Sequence, residues 1–550
     1  VHSVEQVPGK SIAVIQEGGS SRRFEVCIAA LFFFCVLITR LPTFFRSVMD
    51  WDESLYFLIA EQWRAGHLPY TTIWDNKPIG IYGIFALFQS VFGDHVASIR
   101  IASVLVVTVT AFTVFKIALL VPPNPSSSAR LRITAALFAG IAYVVCSLSN
   151  DGLAANTEIF MVCFTSLAML CALSRHPFAA GLLFGMAFMT KYVAIFEFPA
   201  IAFSMIALTP RANFRAVIKS CFGLLSGCAL PLLLIILLYA AAGHLQPWWE
   251  DSILSNVRRV AVPVSMQGLT YVLNMQLVRW SPLFIVSFVM LATAGFQFRR
   301  SWRSKNFVGT GAFHVFLALW LAGGCIGVAS AKSFFDHYFL QILPVMCVTL
   351  AWALIAVAPV IRAWPRYATG ILFAAVLVIP IAAAATALGQ AASPILAIEN
   401  GRIILQPDTP AKIAREIRPL LIASAANQIF VFDYQPIIYS LAGQVPPTKY
   451  AFPSVLTKCQ LADVAEIPAT EEISRILTKN PEFIIRSRYP ATDPSVINLH
   501  VYAELDRTIA ARYVVWRTYD DAIIYRLSDP NGAVNFNFGS LPAACPKAAQ

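Results

Sequence analysis

Charge is scarce in this chain. Asp, Glu, Lys and Arg make up 13% of its 550 residues, about half of the roughly 25% usual in soluble domains. That deficit, beside 58% hydrophobic residues, excludes an ordinary soluble enzyme and places the chain in the membrane class. Nucleotide and zincin signatures are missing too: the sequence has no GxGxxG, no Walker A motif and no HExxH, so neither chemistry has support. No internal repeat of the kind that marks many transporters is present. The apolar run over residues 26–39 is not followed by a small-residue cleavage site and reads as an uncleaved anchor.

Cysteine is present without forming a scaffold. Nine of the 11 cysteines, from Cys27 to Cys347, lie in or beside apolar runs and read as core thiols. Cys459 and Cys545 lie in the polar C-terminal region, where pairing requires an oxidising compartment and cannot be read from spacing alone. No zinc-type cysteine spacing occurs.

What is there is hydrocarbon, interrupted on a pattern. Apolar runs of about 20 residues, enough to cross a bilayer, recur between residues 26 and 388. Composition then turns to that of a soluble protein. The net charge of +11 needs no nucleic-acid partner, because short basic loops orient membrane helices.

Arg22 and Arg23 precede the first run, which puts the N-terminus inside and the first loop outside. The 15 residues 79–93 are short for a span and suit an interfacial or re-entrant segment. If they do not cross, the groups Lys116, Arg130 and Arg132; Arg175; Arg211, Arg215 and Lys219; Arg299, Arg300, Arg303 and Lys305; and Arg362 and Arg366 all fall inside. If they did cross, every group would face outward, against the positive-inside tendency.

The expected architecture is therefore a polytopic α-helical membrane protein of about 11 spans. It comprises a cytoplasmic tail (1–23), a transmembrane domain (24–388) and an extracytoplasmic mixed α/β domain (389–550). In that last region, residues 428–434 and 481–487 read as buried strands and 513–527 as a hairpin turning near Asp520-Asp521. Residues 407–421 and 470–477 read as helices.

On this topology most acidic residues of the membrane half gather on the outer face. The densest stretch is DWDESLYFLIAEQWRAGHLPYTTIWDNKP, residues 50–78, with five carboxylates, two cations and a histidine. Asp50-x-x-Glu53 ahead of an apolar run fits a capping box, with Asp52 in a first turn where the macrodipole favours anions. The helix that follows aligns Asp52, Tyr56, Ile59 and Trp63, and reads as lying on the membrane surface. Lys77 after the Pro-containing turn serves either as a point charge for a phosphate or as a snorkelling anchor.

An acidic pair opening the first outer loop, then Tyr, G-x-x-P-Y and Lys-Pro, resembles the polyprenyl-phosphate-sugar glycosyltransferases of the GT-C type. The likeness is to the branch of protein O-mannosyltransferases, lipid A aminoarabinose transferases and rhizobial galacturonosyltransferases. The matching residues are Asp52-Glu53, Tyr56, Gly66, Pro69-Tyr70 and Lys77-Pro78, followed by Gly93 and Arg100. NTEIF (156–160), TKY (190–192) and HYFLQILP (337–344) continue it. The pattern departs at Lys77, followed by one proline where relatives often have two.

The resemblance implies GT-C architecture with amphipathic helices in the first outer loop, and a donor sugar linked to polyprenyl phosphate. The acceptor would be a glycolipid such as lipid A, a lipopolysaccharide core, another glycan or a protein. It implies a Gram-negative inner membrane, and a divalent metal at most as an optional cofactor. A carboxylate would take the acceptor proton, with Asp52 first, then Glu53, then Asp50. Lys77, Arg100, Lys191 and Lys332 are the outer-face cations that would stabilise the leaving phosphate. Arg100, entering a span, is costly in lipid unless it faces a polar cavity. Tyr56, Tyr70, Glu158, Tyr192, His337 and Tyr338 are the substrate-binding candidates. Two other classes remain: a flippase or exporter of lipid-linked sugar, which needs ionisable residues along a path through the membrane, and a non-catalytic scaffold in which the first-loop acids only cap a helix.

Overall fold

The computed structural model describes residues 21–122, 128–207, 214–260, 266–304, 310–330, 332–361, 366–399, 402–423, 428–490, 496–532, 534 and 545. Most of the expected N-terminal tail and the loop cations Arg211, Lys305 and Arg362 lie outside these residues. The chain divides into two compact units, each assembled from three stretches of sequence.

The first unit comprises Val1–Pro42, Arg100–Leu238 and Pro263–Gln390, and it is helical. Among the described residues of the whole chain, seven helices are long and apolar enough to cross a membrane, or eight if the bent pair Leu269–Arg279 and Ser281–Phe296 counts as one span. Four shorter apolar helices accompany them: Gly80–Phe92, Thr157–Leu173, Pro177–Thr190 and Tyr192–Ile206. Helix Thr157–Leu173 packs on Pro177–Thr190, and Ala129–Cys146 on Leu343–Ile361. Small residues allow the closest approaches: a Cβ on Gly181 would stand 2.0 Å from the Leu224 carbonyl oxygen. This is the packing expected where backbones, rather than a hydrophobic driving force, set the fit between helices. Of the nine thiols expected in the core, only Cys146, Cys163 and Cys347 are buried by protein, and Cys27 and Cys325 are exposed. In a membrane helix an apolar position can face lipid, so hydrophobicity alone does not place it inside.

The second unit comprises Thr43–Ile99, Tyr239–Val262 and Ala391–Gln550. Its C-terminal stretch opens with a two-stranded antiparallel ribbon, β1 (Leu396–Glu399) and β2 (Arg402–Leu405). A four-stranded sheet follows, made of β3 (Ile429–Phe432), β4 (Phe483–Ser487), β5 (Tyr513–Thr518) and β6 (Ala522–Leu527) in the order β3-β4-β6-β5. β3 and β4 are parallel and the other pairs antiparallel. The parallel pair needs a crossover, supplied by helices between residues 437 and 477. The strands and the hairpin turn lie where the sequence places them; the helix Leu499–Arg512 is an addition. Phe430, Phe432, Ile473, Ile484, Val501 and Leu505 form the core, and Trp74 of the first loop is packed into it.

In the first loop, the helix expected after Asp50 runs over Trp51–Arg64. Glu53 through Ala60 are all buried by protein, and the helix packs against Gly80–Phe92 and Ile437–Ala442, so protein rather than lipid covers its apolar residues. An unbroken buried run suits a helix covered on every side. The capping box fails in detail. Asp50 is extended at the N-cap but makes no side-chain cap, while Glu53 accepts from the N–H of Met49, one residue further out. Gly66 (φ 99°) ends the helix where a left-handed residue is required. Helix Gly80–Phe92 has 13 residues, short of the about 20 that a span needs.

Candidate active site

The first loop of the second unit builds a cage of tyrosines around a paired acid and base. Asp52 sits in the first turn of helix Trp51–Arg64, with Tyr56 one turn on, where i and i+4 side chains meet. The Tyr56 hydroxyl donates to Asp52 Oδ2 at 3.1 Å. Lys77 Nζ stands 3.4 Å from the same oxygen and 5.9 Å from the centre of the Tyr56 ring. Tyr56, Tyr70 and Tyr82 are fully buried, whereas the Asp52 side chain keeps 19% of its surface open. Asp52 is thus reachable within an otherwise closed setting.

The P-Y motif acquires a purpose here. Tyr70 has φ 69°, an uncommon conformation for a bulky residue. Its hydroxyl donates to the Lys77 carbonyl at 2.6 Å, and that of Tyr82 reaches the same carbonyl at 3.4 Å. Asn256 Nδ2 holds the neighbouring Asn76 carbonyl. The backbone is therefore fixed on both sides of Lys77, which sets the direction of its ammonium.

Asp75 is a residue that the sequence reading passed over as a site member. It is 4% exposed, accepts from the Tyr82 hydroxyl at 2.8 Å and from the Asn76 N–H at 2.7 Å. Burial raises its pKa above the ordinary aspartate value, opposed by the charge of Lys77 and reinforced by that of Asp52. The available signal was its place two residues before Lys77, but an Asp in a polar turn reads as solvated.

The tail braces this loop. Ser440 donates to Glu61 at 2.5 Å. The Trp74 N–H donates to the Lys449 carbonyl at 2.8 Å, directly before Asp75. Lys449 Nζ pairs with Asp251 at 2.8 Å. Cys459 and Cys545 are joined in a disulfide.

The first unit holds a second polar cluster, assembled from the three later motifs. Glu158 opens helix Thr157–Leu173, is 1% exposed, and is bonded to Lys191 and to the Thr157 hydroxyl at 3.0 Å. Lys191 lies 3.8 Å from the centre of the Tyr338 ring, a cation–π arrangement. His337 stands between Asp151 at 3.8 Å and Glu158 at 3.9 Å. Asp336 pairs with Arg279, which also donates to Asn150 at 2.7 Å. Asp151 and Arg279 were not singled out from the sequence, which gives no sign that residues 150, 279 and 336 meet.

Of the remaining candidates, Tyr192 begins the 3-10 helix after Lys191, its ring tilted against that of Phe188 at 5.0 Å between centres. Arg100 is 1% exposed in helix Val96–Leu119, close enough to Arg40 for the charges to repel. Lys332 has φ 55° in a half-buried turn. Among the described residues no three His, Cys, Asp or Glu side chains are grouped to hold a metal ion.

Residues 76–239 match the family of dolichyl-phosphate-mannose-protein mannosyltransferases. No curated protein matches the chain. Among solved structures, the chain is similar to ArnT from Cupriavidus metallidurans bound to undecaprenyl phosphate, with TM-score 0.57 and 13% identity over 94% of this chain and 100% of that one. It is likewise similar to ArnT from the same organism in the apo state, with TM-score 0.54 and 12% identity over 90% and 97% of the two chains. At such identities the likeness speaks for the fold. The shared fold and the matching segment, which covers residues 76–239, agree with the GT-C resemblance carried by the first-loop motifs.

Proposed function

We propose that the protein transfers a sugar from a polyprenyl-phosphate donor to an acceptor hydroxyl. The observation that carries the reading is the Asp52–Lys77 pair: one loop presents a partly open carboxylate and a directed ammonium 3.4 Å apart. A transfer of this kind needs a base for the incoming hydroxyl and a cation for the departing phosphate. The fold shared with a protein crystallised with undecaprenyl phosphate supports a lipid phosphate as the leaving group.

In the proposed step, an Asp52 oxygen takes the acceptor O–H proton. The freed oxygen forms a bond to the anomeric carbon while the bond from that carbon to the phosphate oxygen breaks. The electron pair leaves with the lipid phosphate, and Lys77 exchanges part of its contact with Asp52 for that growing charge. Glu53 is buried and engaged with the Met49 N–H, and Asp50 lies outside the helix, so both rank behind Asp52. Lys191 is compensated by Glu158, so a phosphate there would have to displace that carboxylate. We assign Glu158, His337, Tyr192 and Tyr338 to substrate positioning, with Arg100 and Lys332 as further phosphate candidates. Lipid A, another glycan or a protein would serve as acceptor.

The site is proposed to face the periplasm from the inner membrane. The basic groups in the expected inner loops support this, as does a Cys459–Cys545 disulfide, which belongs to an oxidising compartment.

The test is transfer in membranes containing the full chain and radiolabelled polyprenyl-phosphate sugars. Label passing to a new acceptor supports the reading. Label that changes sides of the membrane while staying on the lipid would replace it with the flippase reading.

A further inference from the structure

The ribbon β1–β2 carries an aliphatic face that the protein leaves uncovered. Its register sets Leu396 opposite Leu405 and Ile398 opposite Ile403, and residues two apart in a strand share a face. All four are therefore on one side. Their fractional exposures are 43% for Leu396, 79% for Ile398, 73% for Ile403 and 54% for Leu405. The pair Ala397 and Ile404 on the opposite side is half-buried. A contiguous aliphatic patch is an interaction surface when it stands on a protein otherwise built for water.

Chain connectivity says what covers it. The candidate span Ala374–Ile395, most of which is not covered by protein, ends at the residue before β1. The Gln406 N–H donates back to the Ile395 carbonyl at 2.9 Å, so both ends of the ribbon are held at the end of that span. Four residues of strand reach about 13 Å, which keeps the whole face near the bilayer surface. At the far end Glu399 stands opposite Arg402, both exposed, a polar tip compatible with headgroups.

We propose that this ribbon is a membrane wedge, with Leu396, Ile398, Ile403 and Leu405 seated in the lipid at the bilayer interface. The occupant is the bilayer itself, continuous with the lipid around the preceding span. The wedge has a mechanical consequence. Asp408, just after β2, accepts from the Ser47 N–H at 2.8 Å and from its hydroxyl at 2.6 Å, and pairs with Arg46 at 3.4 Å. Lipid contact at the ribbon thereby steadies the root of the loop that carries Asp52. The proposal does not depend on the glycosyltransferase reading.

The experiment places the photoreactive residue p-benzoylphenylalanine at Ile398, and separately at Ile403, in the full chain within native membranes. The control site is Tyr489, 72% exposed elsewhere in the same unit. Irradiation should give lipid adducts at both ribbon sites, at least about tenfold above the control. Adducts to a second copy or to another segment of this chain would overturn the proposal and name the true occupant. A lipid yield no higher than at Tyr489 would overturn it as well.

Discussion

Replacement of Asp52 by Asn tests the proposed chemistry with little change of shape. Asparagine retains an oxygen for the Tyr56 hydroxyl, which now donates at 3.1 Å, but loses the base and the charge facing Lys77. Removing a general base costs about 10²–10⁴ in rate, or about 2.7–5.5 kcal/mol of barrier at about 1.36 kcal/mol per decade. The folding cost is smaller. The Asp52–Lys77 pair is 3.4 Å apart with 19% and 13% of the two side chains exposed, and partly solvated pairs contribute about 0.2–1 kcal/mol.

Transfer should therefore collapse while the melting temperature in detergent shifts by no more than about 2–4 °C. The assay compares wild type and Asp52→Asn membranes at matched abundance, with labelled donor and extraction of the product. Undiminished transfer by a folded mutant would refute the argument, reduce Asp52 to a helix-start residue, and move the search to Glu53 and then Asp50. Lys77→Met tests the second role: because the ammonium gains contact as the phosphate departs, it should lower kcat more than it raises KM for the donor.

Four further outcomes follow from the same contacts. Tyr82→Phe removes the hydroxyl that serves Asp75 at 2.8 Å, leaving a buried acceptor short of a partner at a cost of about 1–3 kcal/mol, read as a lower melting temperature. Because burial raises the pKa of Asp75, the native state binds its proton more tightly than the unfolded state, and stability from this group falls as pH rises. The decline begins near the ordinary aspartate value of about 3.9 and ends above the higher folded value, so Asp75→Asn should flatten the melting profile over that window, and an unchanged profile would contradict the assignment. Glu197 is fully buried and accepts from Trp320 Nε1 at 2.9 Å and Gln341 Nε2 at 2.8 Å; Gln341 Nε2 also reaches the Val193 carbonyl at 3.4 Å, so Glu197→Leu chiefly costs the buried Trp320 donor its acceptor, about 1–3 kcal/mol, and should lower abundance in membranes measurably. Cys459→Ser opens a link spanning 86 residues, a loss of about 2–5 kcal/mol, expected as earlier melting and faster proteolysis of the C-terminal region.

The parts of this protein that depend on local pattern were legible in its sequence. Apolar run length identified membrane helices, because a span needs a minimum length whatever surrounds it. The short helix after Pro78 follows from the length of its apolar run. The strands at Ile429–Phe432 and Phe483–Ser487 were readable because they are short apolar runs bounded by turn residues. The acidic first loop stood out because charge is so rare elsewhere.

Burial of individual polar groups was not legible. Asp50-x-x-Glu53 looked like a capping box, yet Glu53 turned to Met49, a choice made by how the incoming chain is packed. The pattern of helix Trp51–Arg64 shows only that it avoids water, while lipid and protein are equally acceptable covers; that protein covers residues 53–60 was decided by packing. Trp74, placed by sequence in the first loop, belongs to the core of a domain formed some 400 residues later.

The sequence by itself determined which stretches are long and apolar enough to cross a membrane, where the C-terminal strands lie, and which loop holds the reactive residue types. Only the tertiary structure decided that Asp75 is buried, that Tyr70 and Tyr82 fix the backbone at Lys77, and that Lys77 meets Asp52. Spacing along the chain sets the period and length of an element, whereas desolvation and charge pairing depend on which distant surfaces close around a side chain.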